Sequence, residues 1–449
     1  MTVQATEPAP TSRLLSVEDA RNMVLATIDG PLPSETVALG AALGRVVAEP
    51  VVATTALPPW DNSAMDGYAI RAADVVRAAD GTAVRLDVLG EVRAGSAPDV
   101  RLRAGAAVRI ATGARIPIGA DAVVPVEQTT PIDAAGRPGV RGRDAAGPLP
   151  PAILVHVVVP PGGSIRRAGS DMAAKATVLA AGSPLTAATL TLVAGSGNAL
   201  VGVHRRPKVA VLATGDEVKS PGDPLGVAGI PDANRPGLLA QVAAAGGEAI
   251  DLGIAPDDLE QVSARVADAV SRGADAIIVS GGVSVGPYDV VKEAFESVGR
   301  VELWRVAVQP GKPFAFGTSN AADGRSVLLF GLPGNPVSSV VTFELFVRPA
   351  LRRLAGHTRL LRPVDRAVID RAVTKSHGRR AFLRVAVERD EAGRPIRDEA
   401  GRVRVKLAGG QGSHVLSALA TADAFAVVPE AHDELAAGQE VELWWLDQP

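Results

Sequence analysis

Carboxylate side chains follow three successive apolar segments in the second half of the chain. Asp216 and Glu217 come after the first segment, Asp257 and Asp258 after the second, and Asp289 after the third. The carboxyl ends of parallel strands meet at one sheet edge, where α/β proteins bind ligands. Carboxylates gathered there could hold a divalent cation such as Mg2+ between phosphate oxygens. Asp257 or Asp289 alone could merely cap a helix, but the set together favours a site.

Glycine and proline segments beside these carboxylates could bind an anion. Gly281 and Gly282 offer backbone N–H groups with no Cβ in the way. Lys312 lies between two prolines, and the segment 331–336 enters a helix at Pro336, whose first turn presents unpaired N–H groups. A tight turn and a stiff connector are the simpler alternatives. The glycine spacing fits neither a Rossmann fingerprint nor a Walker A motif.

The segment 61–68 is polar and small where a core strand would be apolar, which indicates an exposed functional loop.

Other chemistries find little support in the sequence. The chain has no Cys, which excludes disulfides, thiolate nucleophiles and Cys-ligated metal centres. Its six His residues are scattered, and no G-x-S-x-G motif supports serine hydrolysis.

Composition indicates a cytoplasmic enzyme of several domains. The 449 residues suffice for several hydrophobic cores. The net charge of -3, with dispersed Lys and Arg, argues against a nucleic-acid partner. There is neither a signal peptide nor an apolar run of roughly 18 residues, so no membrane association is expected.

The elements that would position these residues change in character along the chain. A helix is predicted over 16–28, with Ser16 as its N-cap and Gly30 as its stop, followed by short Val-rich strands over 71–128 and a strand over 153–159. After Pro207, strands alternate with helices, which predicts a parallel α/β sheet. The predicted strands are 208–213, 248–253, 276–280 and two near 303 and 327; the predicted helices follow Pro236, span 257–272, and begin at Asp289 and after Pro336. Beyond Gly356 short β segments return.

Together these segments resemble the molybdopterin molybdenumtransferase family, known as MoeA in bacteria and as the E-domain of gephyrin. The resemblance extends from about residue 14 to 443. It rests on the motifs at 59–69, 109–113, 165–171, 214–217, 280–286, 310–317, 331–336 and 410–414.

The resemblance implies an α/β plus β, multidomain fold in an elongated homodimer, with a parallel-sheet α/β molybdopterin-binding domain and smaller β-rich domains. The implied boundaries are a disordered tail at 1–13, an α/β domain from 14–30 and 180–356, a linking domain from 31–58 and 149–179, a small β-domain at 59–148 and a C-terminal β-domain at 357–449.

The resemblance also implies a cleft between the α/β domain of one subunit and the small β-domain of the other. The implied catalytic residues are Glu217, Asp257 and Asp289 on the α/β side, the same three being the Mg2+ ligands, and Asp66, Thr112 and Asp171 on the partner side. The implied substrate-binding residues are Gly281, Gly282, Ser284, Arg305, Lys312, Pro333, Asn335, Pro336 and Ser413.

The implied reaction inserts molybdate into adenylylated molybdopterin and releases AMP, with Mg2+ as cofactor and a molybdopterin adenylyltransferase as the upstream partner. The alternatives are that adenylyltransferase itself and a scaffold of the gephyrin type. One departure concerns charge: position 309 is Gln and position 305 is Arg, where bacterial relatives commonly carry Lys. The anion pocket is therefore expected to be less positive unless Arg305 compensates.

Overall fold

The computed structural model describes residues 14–142, 147–282 and 290–446. These residues form two units. The larger unit takes the chain up to Thr36, the segment Gly44–Ala48 and the chain from Gly202 onward. The smaller unit takes Val37–Leu43 and Glu49–Val201.

Short elements make up the first half of the chain. In chain order they are α1 (Val17–Ala26), β1 (Ser34–Ala38), β2 (Val51–Val52), β3 (Asn62–Ser63), β4 (Gly67–Ile70), β5 (Val84–Val92), β6 (Ala106–Ile110), β7 (Ala122–Pro125), β8 (Thr129–Ile132), β9 (Ala152–Val155), β10 (Ile165–Arg166), β11 (Thr177–Leu179), α2 (Ala187–Gly195) and β12 (Leu200–His204), with 3-10 helices at Leu39–Ala41, Ala72–Asp80 and Val126–Gln128.

The smaller unit is organised around a six-stranded sheet in the order β7-β4-β6-β5-β9-β8. Only β5 and β6 pair in parallel; the other neighbours are antiparallel. Strands β5, β6 and β7 confirm the strands predicted over 71–128, but the prediction is wrong for Ala72–Asp80, which forms a 3-10 helix. The strand predicted over 153–159 is shorter, because β9 ends with its ladder to β5 and β8 at Val155.

Longer strands and helices follow. They are β13 (Lys208–Thr214), β14 (Val218–Lys219), β15 (Ile230–Pro231), α3 (Asn234–Ala244), β16 (Glu248–Ala255), α4 (Leu259–Ser271), β17 (Ala276–Ser280), α5 (Val290–Glu296), β18 (Gly299–Arg305), β19 (Val308–Gln309), β20 (Pro313–Asn320), β21 (Ser326–Leu332), α6 (Pro336–Thr342), α7 (Arg348–Leu354), β22 (Val364–Ile369), β23 (Val373–Thr374), β24 (Arg380–Val387), β25 (Val403–Leu407), α8 (Leu416–Ala420), β26 (Ala424–Val428), β27 (Glu434–Leu435) and β28 (Glu440–Trp445), with a π-helix at Phe343–Val347.

The α/β sheet of the larger unit has the order β16-β13-β17-β21-β20-β18. The first four strands are parallel, as predicted. Strand β20 pairs antiparallel with both β21 and β18, so β18 at the edge runs in the direction of the four parallel strands. Strand β20 was not predicted. It forms because β18 and β21 satisfy its backbone on both sides while Phe314 and Phe316 enter the core.

The helix boundaries agree with the predictions at the starts of α1 and α6 and differ at the end of α1 and at the starts of α3 and α4. Ser16 caps α1, accepting a 3.0 Å hydrogen bond from the Asp19 N–H. The helix ends at Ala26, before the predicted stop at Gly30. Helix α3 begins at Asn234, ahead of the proline expected to precede it. The helix predicted after the 331–336 segment runs through α6, the π-helix and α7.

The C-terminal β segments form a third six-stranded sheet, in the order β19-β24-β25-β22-β28-β26. An additional pairing of β24 with β26 closes five of these strands into a ring. In the part of the chain that the structure describes, no helix combines the length and apolarity that membrane crossing requires.

Candidate ligand-binding and catalytic site

The carboxyl ends of the parallel strands lie level in the larger unit. Ala213 pairs with Ser280, which pairs with Leu332. A cavity of about 640 Å³ opens at this edge. Its lining includes Thr214, Gly215, Glu217, Asn234, Asp257, Ser280, Gly281, Gly282, Pro313, Pro333, Gly334, Asn335, Pro336 and His414. Residues that are far apart in the sequence therefore meet where a parallel sheet is expected to bind a ligand.

A cavity of about 750 Å³ lies elsewhere in the larger unit, beside Glu18 and Arg380. Its most buried charge is already neutralised, because Arg380 pairs with Glu18 and with Glu430. The smaller cavity is the better candidate, because it lies at the carboxyl ends of the parallel strands, where α/β proteins bind ligands.

Two neighbouring carboxylates, Asp216 and Glu217, act electrostatically on Asp257, which lines the candidate cavity. The Asp257 N–H donates to Asp216 Oδ1 over 3.2 Å. Partial burial, and then the negative charges of Asp216 and Glu217, raise the pKa of Asp257. A bound cation would relieve this repulsion. The capping alternative for Asp257 is wrong, because Asp258 caps α4 by accepting a 2.9 Å hydrogen bond from the Gln261 N–H.

The predicted metal set is only partly described. Glu217 and Asp257 both line the cavity. Asp289, like Ser284, lies outside the described residues. Within residues 14–142, 147–282 and 290–446, no three His, Asp or Glu side chains are grouped closely enough to hold a metal ion.

Glycines let two loops that line the cavity approach each other closely. Gly281 has φ +106°, and a Cβ there would lie 2.5 Å from the Thr214 carbonyl oxygen. A Cβ on Gly334 would lie 3.7 Å from the Gly281 Cα. Any larger residue at Gly281 would separate the glycine turn from β13. The Gly281 N–H donates a 3.2 Å hydrogen bond to the Leu332 carbonyl, which ties the glycine turn to the end of β21.

The start of α6 faces the same space. Asn335 is the N-cap residue, its side chain makes no capping hydrogen bond, and Pro336 occupies the first helical turn. The Val337 N–H donates to the Ser413 carbonyl over 3.2 Å. The predicted residue Ser413 therefore lies beside the predicted loop 331–336.

Sequence reasoning missed the residue that holds this C-terminal segment. Arg384 is fully buried, and its Nη2 donates to the carbonyls of Gly410 (2.9 Å) and Gly412 (3.1 Å). Burial lowers the pKa of this guanidinium. The one available signal was a charged residue inside the apolar strand β24. His414, one of the six scattered histidines, also lines the cavity.

The predicted cationic residues lie at the base of β18 and β20. Arg305 ends β18, and Lys312 directly precedes β20. Within the described residues, Pro313 lines the cavity whereas Lys312 and Arg305 do not. Gln309 is engaged elsewhere, since its Oε1 accepts a 2.9 Å hydrogen bond from the Ser376 N–H.

Asp66 and Thr112 meet in the smaller unit. Asp66 Oδ1 accepts hydrogen bonds from the Thr112 N–H (2.7 Å) and hydroxyl (2.9 Å). The backbone bond and then the hydroxyl bond lower the pKa of Asp66. Asp66 is thus an anchored carboxylate with its second oxygen uninvolved in these bonds. Asp171 is exposed, its N–H donates to the Leu57 carbonyl over 3.0 Å, and it is absent from the small cavity beside Asp66.

Gly67 fixes the position of the segment 61–68, which the sequence predicted to be a functional loop. A Cβ at Gly67 would lie 2.0 Å from the Val124 carbonyl oxygen, so β4 can pack against β7 only with glycine there. Asp61 accepts hydrogen bonds from Arg167 (2.6 Å) and from the Ala168 N–H (2.8 Å). These bonds tie the predicted functional loop to the segment at 165–171.

Fold and site together define a multidomain α/β-plus-β protein with a cavity at the carboxyl ends of its parallel strands. Residues 210–353 match the family model described as "Probable molybdopterin binding domain". Residues 15–197 match the MoeA N-terminal region (domain I and II), and residues 366–446 match the MoeA C-terminal region (domain IV).

Full-length relatives agree with these matches. The chain is 36% identical to the molybdopterin molybdenumtransferase of Haemophilus influenzae, covering 96% of this chain and 98% of that protein. It is 40% identical to molybdopterin molybdenumtransferase 2 of Mycobacterium tuberculosis, covering 92% and 95%. The crystal structure of a molybdopterin biosynthesis MoeA protein from Pyrococcus horikoshii has a TM-score of 0.75 at 30% identity, covering 97% of this chain and 100% of that one. The chain therefore belongs to the MoeA family of molybdopterin molybdenumtransferases. The predicted family, enzyme class and α/β-plus-β fold are confirmed.

Proposed function

We propose that this enzyme inserts molybdenum from molybdate into adenylylated molybdopterin and releases AMP. The observation that carries the proposal is the cavity at the strand ends, where Glu217 and Asp257 face the glycine turn and the start of α6. A pyrophosphate-linked substrate and an oxyanion both need N–H donors, and carboxylates in the same cavity need a cation beside them.

The described carboxylates fit Mg2+ in charge and ligand type. Mg2+ prefers oxygen ligands. Burial and the neighbouring carboxylates raise the pKa of Asp257, and the charge of a bound cation would lower this pKa again. We propose that Glu217, Asp257 and Asp289 hold the ion. When bound, it would offset the charge of the phosphate oxygens.

The residues of the chain then have distinct roles. The glycine turn and the start of α6 bind and orient the phosphates, with Pro333 and Asn335 shaping that loop. Lys312 and Arg305 supply positive charge that attracts molybdate as it approaches the site. Ser413 is held beside the helix start by the bond from its carbonyl to the Val337 N–H.

The reaction assay tests the proposal directly. Adenylylated molybdopterin, molybdate and Mg2+ are added to the purified chain, and AMP release is followed. Glu217→Ala and Asp289→Ala should abolish molybdate-dependent AMP release with the circular dichroism spectrum unchanged. Glu260→Ala, which removes an exposed carboxylate from the first turn of α4, should leave it intact. Normal activity of either site variant at low Mg2+ would contradict the metal assignment.

We also propose that the enzyme acts as a homodimer in which Asp66, Thr112 and Asp171 of one subunit complete the site of the other. Asp66→Ala and Asp289→Ala proteins, each inactive alone, should then regain part of the activity after subunit exchange. No recovery in mixed dimers would mean that both residues serve the same subunit's site.

A molybdopterin adenylyltransferase would supply the substrate as upstream partner. The chain is unlike a single-domain adenylyltransferase, because the matched regions at 15–197 and 366–446 flank the α/β domain. A scaffold role of the gephyrin type would be favoured by peptide binding without any cofactor formation.

A further inference from the structure

Asn234, the first residue of α3, joins the two loops that line the candidate cavity. Its Nδ2 donates to Ser280 Oγ over 2.8 Å and to the Gly334 carbonyl over 2.7 Å. Ser280 directly precedes the glycine turn, and Gly334 lies in the loop that enters α6. One amide nitrogen therefore spans the carboxyl ends of β17 and β21.

The orientation of this amide is fixed by chemistry. The Gly334 carbonyl can only accept a hydrogen bond, so the atom facing it must be the nitrogen. Asn234 Oδ1 is buried and has no hydrogen-bond partner among the described residues. A buried unsatisfied acceptor destabilises a fold, and such groups call for an explanation beyond packing. At Asn234, the two hydrogen bonds that Nδ2 donates explain why the amide is kept despite its unpaired oxygen.

The backbone that carries Asn234 is held independently of the ligand. Asp232 is buried and accepts hydrogen bonds from the Arg235 N–H (3.0 Å) and Nε (2.9 Å). The Asp232 N–H donates to the Lys219 carbonyl over 2.8 Å. The start of α3 is thus a rigid support for the amide.

The amide also determines where the Ser280 proton points. Because Asn234 Nδ2 can only donate, Ser280 Oγ accepts that bond and its own proton must be directed elsewhere. Ser280 is 2% exposed and lines the cavity, and its hydroxyl donates no hydrogen bond to any other described residue. Thr214, 4% exposed on the neighbouring strand, likewise has a buried hydroxyl that finds no hydrogen-bond partner in the described part of the chain.

We propose that Asn234 is a positioning residue that locks the loop 333–336 to the glycine turn and directs the Ser280 hydroxyl proton toward an anionic group of the substrate. The inference rests on the proposed function for the identity of that substrate. Asn234 itself need not touch the ligand. Its effect passes through Ser280 and Gly334.

The test compares Asn234→Ala and Asn234→Asp with Gly237→Ala. The control lies in the same helix, where an added Cβ meets nothing within 4 Å. Equilibrium binding of adenylylated molybdopterin is measured without molybdate, followed by AMP release with molybdate. Asn234→Ala should weaken binding roughly tenfold by removing hydrogen bonds to the loops. Asn234→Asp should weaken it further, because its carboxylate would accept the Ser280 proton and repel the anion. The KM for the pterin should rise while the half-saturating molybdate concentration stays constant.

A double-mutant cycle separates positioning from a general structural role. In the Ser280→Ala background, Asn234→Ala should cost clearly less binding than it does alone, because one of its two targets is gone. Additive losses, or binding by Asn234→Asp equal to that of Gly237→Ala, would overturn the inference. Wild-type protein that binds the pterin without releasing AMP would refute the proposed reaction, while the binding comparison would still decide the role of Asn234. Wild-type protein that does not bind the pterin would overturn both.

Discussion

Replacing Asp257 by Asn should stabilise the protein without metal while impairing the reaction. The substitution keeps the size of the side chain and removes a charge whose pKa is raised by partial burial and by Asp216 and Glu217. Asp257 remains exposed, so solvent screens much of the repulsion. We therefore expect a gain of about 0.5 kcal/mol in the free energy of unfolding, which corresponds to about 1–2 °C in the unfolding midpoint of a domain of this size.

The pH dependence follows from the direction of the shift. A carboxyl whose pKa is raised above its usual 3.8 binds its proton more tightly in the folded state. Its favourable contribution to stability is therefore complete below about pH 4 and is lost as the pH rises through the raised value. The variant and the wild type should thus unfold alike in acid, and the difference should grow toward neutral pH.

Thermal unfolding followed by circular dichroism, with and without Mg2+, measures these effects. Asp258→Asn is a matched control, since it removes the same charge one residue away while Asn can still cap α4. Mg2+ should raise the midpoint of the wild type and of the control more than that of Asp257→Asn. The reasoning fails if Asp257→Asn is less stable than the control at neutral pH, or if its response to Mg2+ is unchanged.

Three further substitutions test other parts of the site. Thr112→Val removes the hydroxyl bond that helps lower the pKa of Asp66, so the acid limb of the pH–activity profile should move to higher pH; an unmoved limb would show that this carboxylate does not limit the reaction. Gln309→Lys should lower the half-saturating molybdate concentration at low salt, and this gain should shrink as ionic strength rises. The variant should also lose about 0.5–1.5 kcal/mol of stability, because the hydrogen bond from the Ser376 N–H is removed. Unchanged molybdate dependence would place position 309 outside the anion path. Gly67→Ala would bring a Cβ to 2.0 Å from a backbone oxygen, so a loss of about 3 kcal/mol or more in unfolding free energy is expected by denaturant titration, and a wild-type value would contradict the packing.

Local patterns determined much of this protein from the sequence alone. Ser16 followed by a helical apolar pattern predicted α1 and its cap, and four apolar segments separated by helices predicted the parallel strands. Both signals depend on neighbouring residues, so they survive without knowledge of the tertiary fold. The carboxylates and glycines at the strand ends followed in turn, because a parallel sheet places all such ends at one edge.

The tertiary structure decided what depends on contacts between distant segments. Which of two adjacent aspartates caps α4 depended on where the helix begins, and β20 became a strand because two neighbours satisfied its backbone. Arg384 and Asn234 gained their roles from loops 26 and 100 residues away along the chain. No local pattern encodes those distances, since sheet register and loop packing set them. The sequence could therefore identify the edge of the sheet that carries the candidate cavity, whereas the hydrogen bonds that hold that edge in shape emerged only from the folded chain.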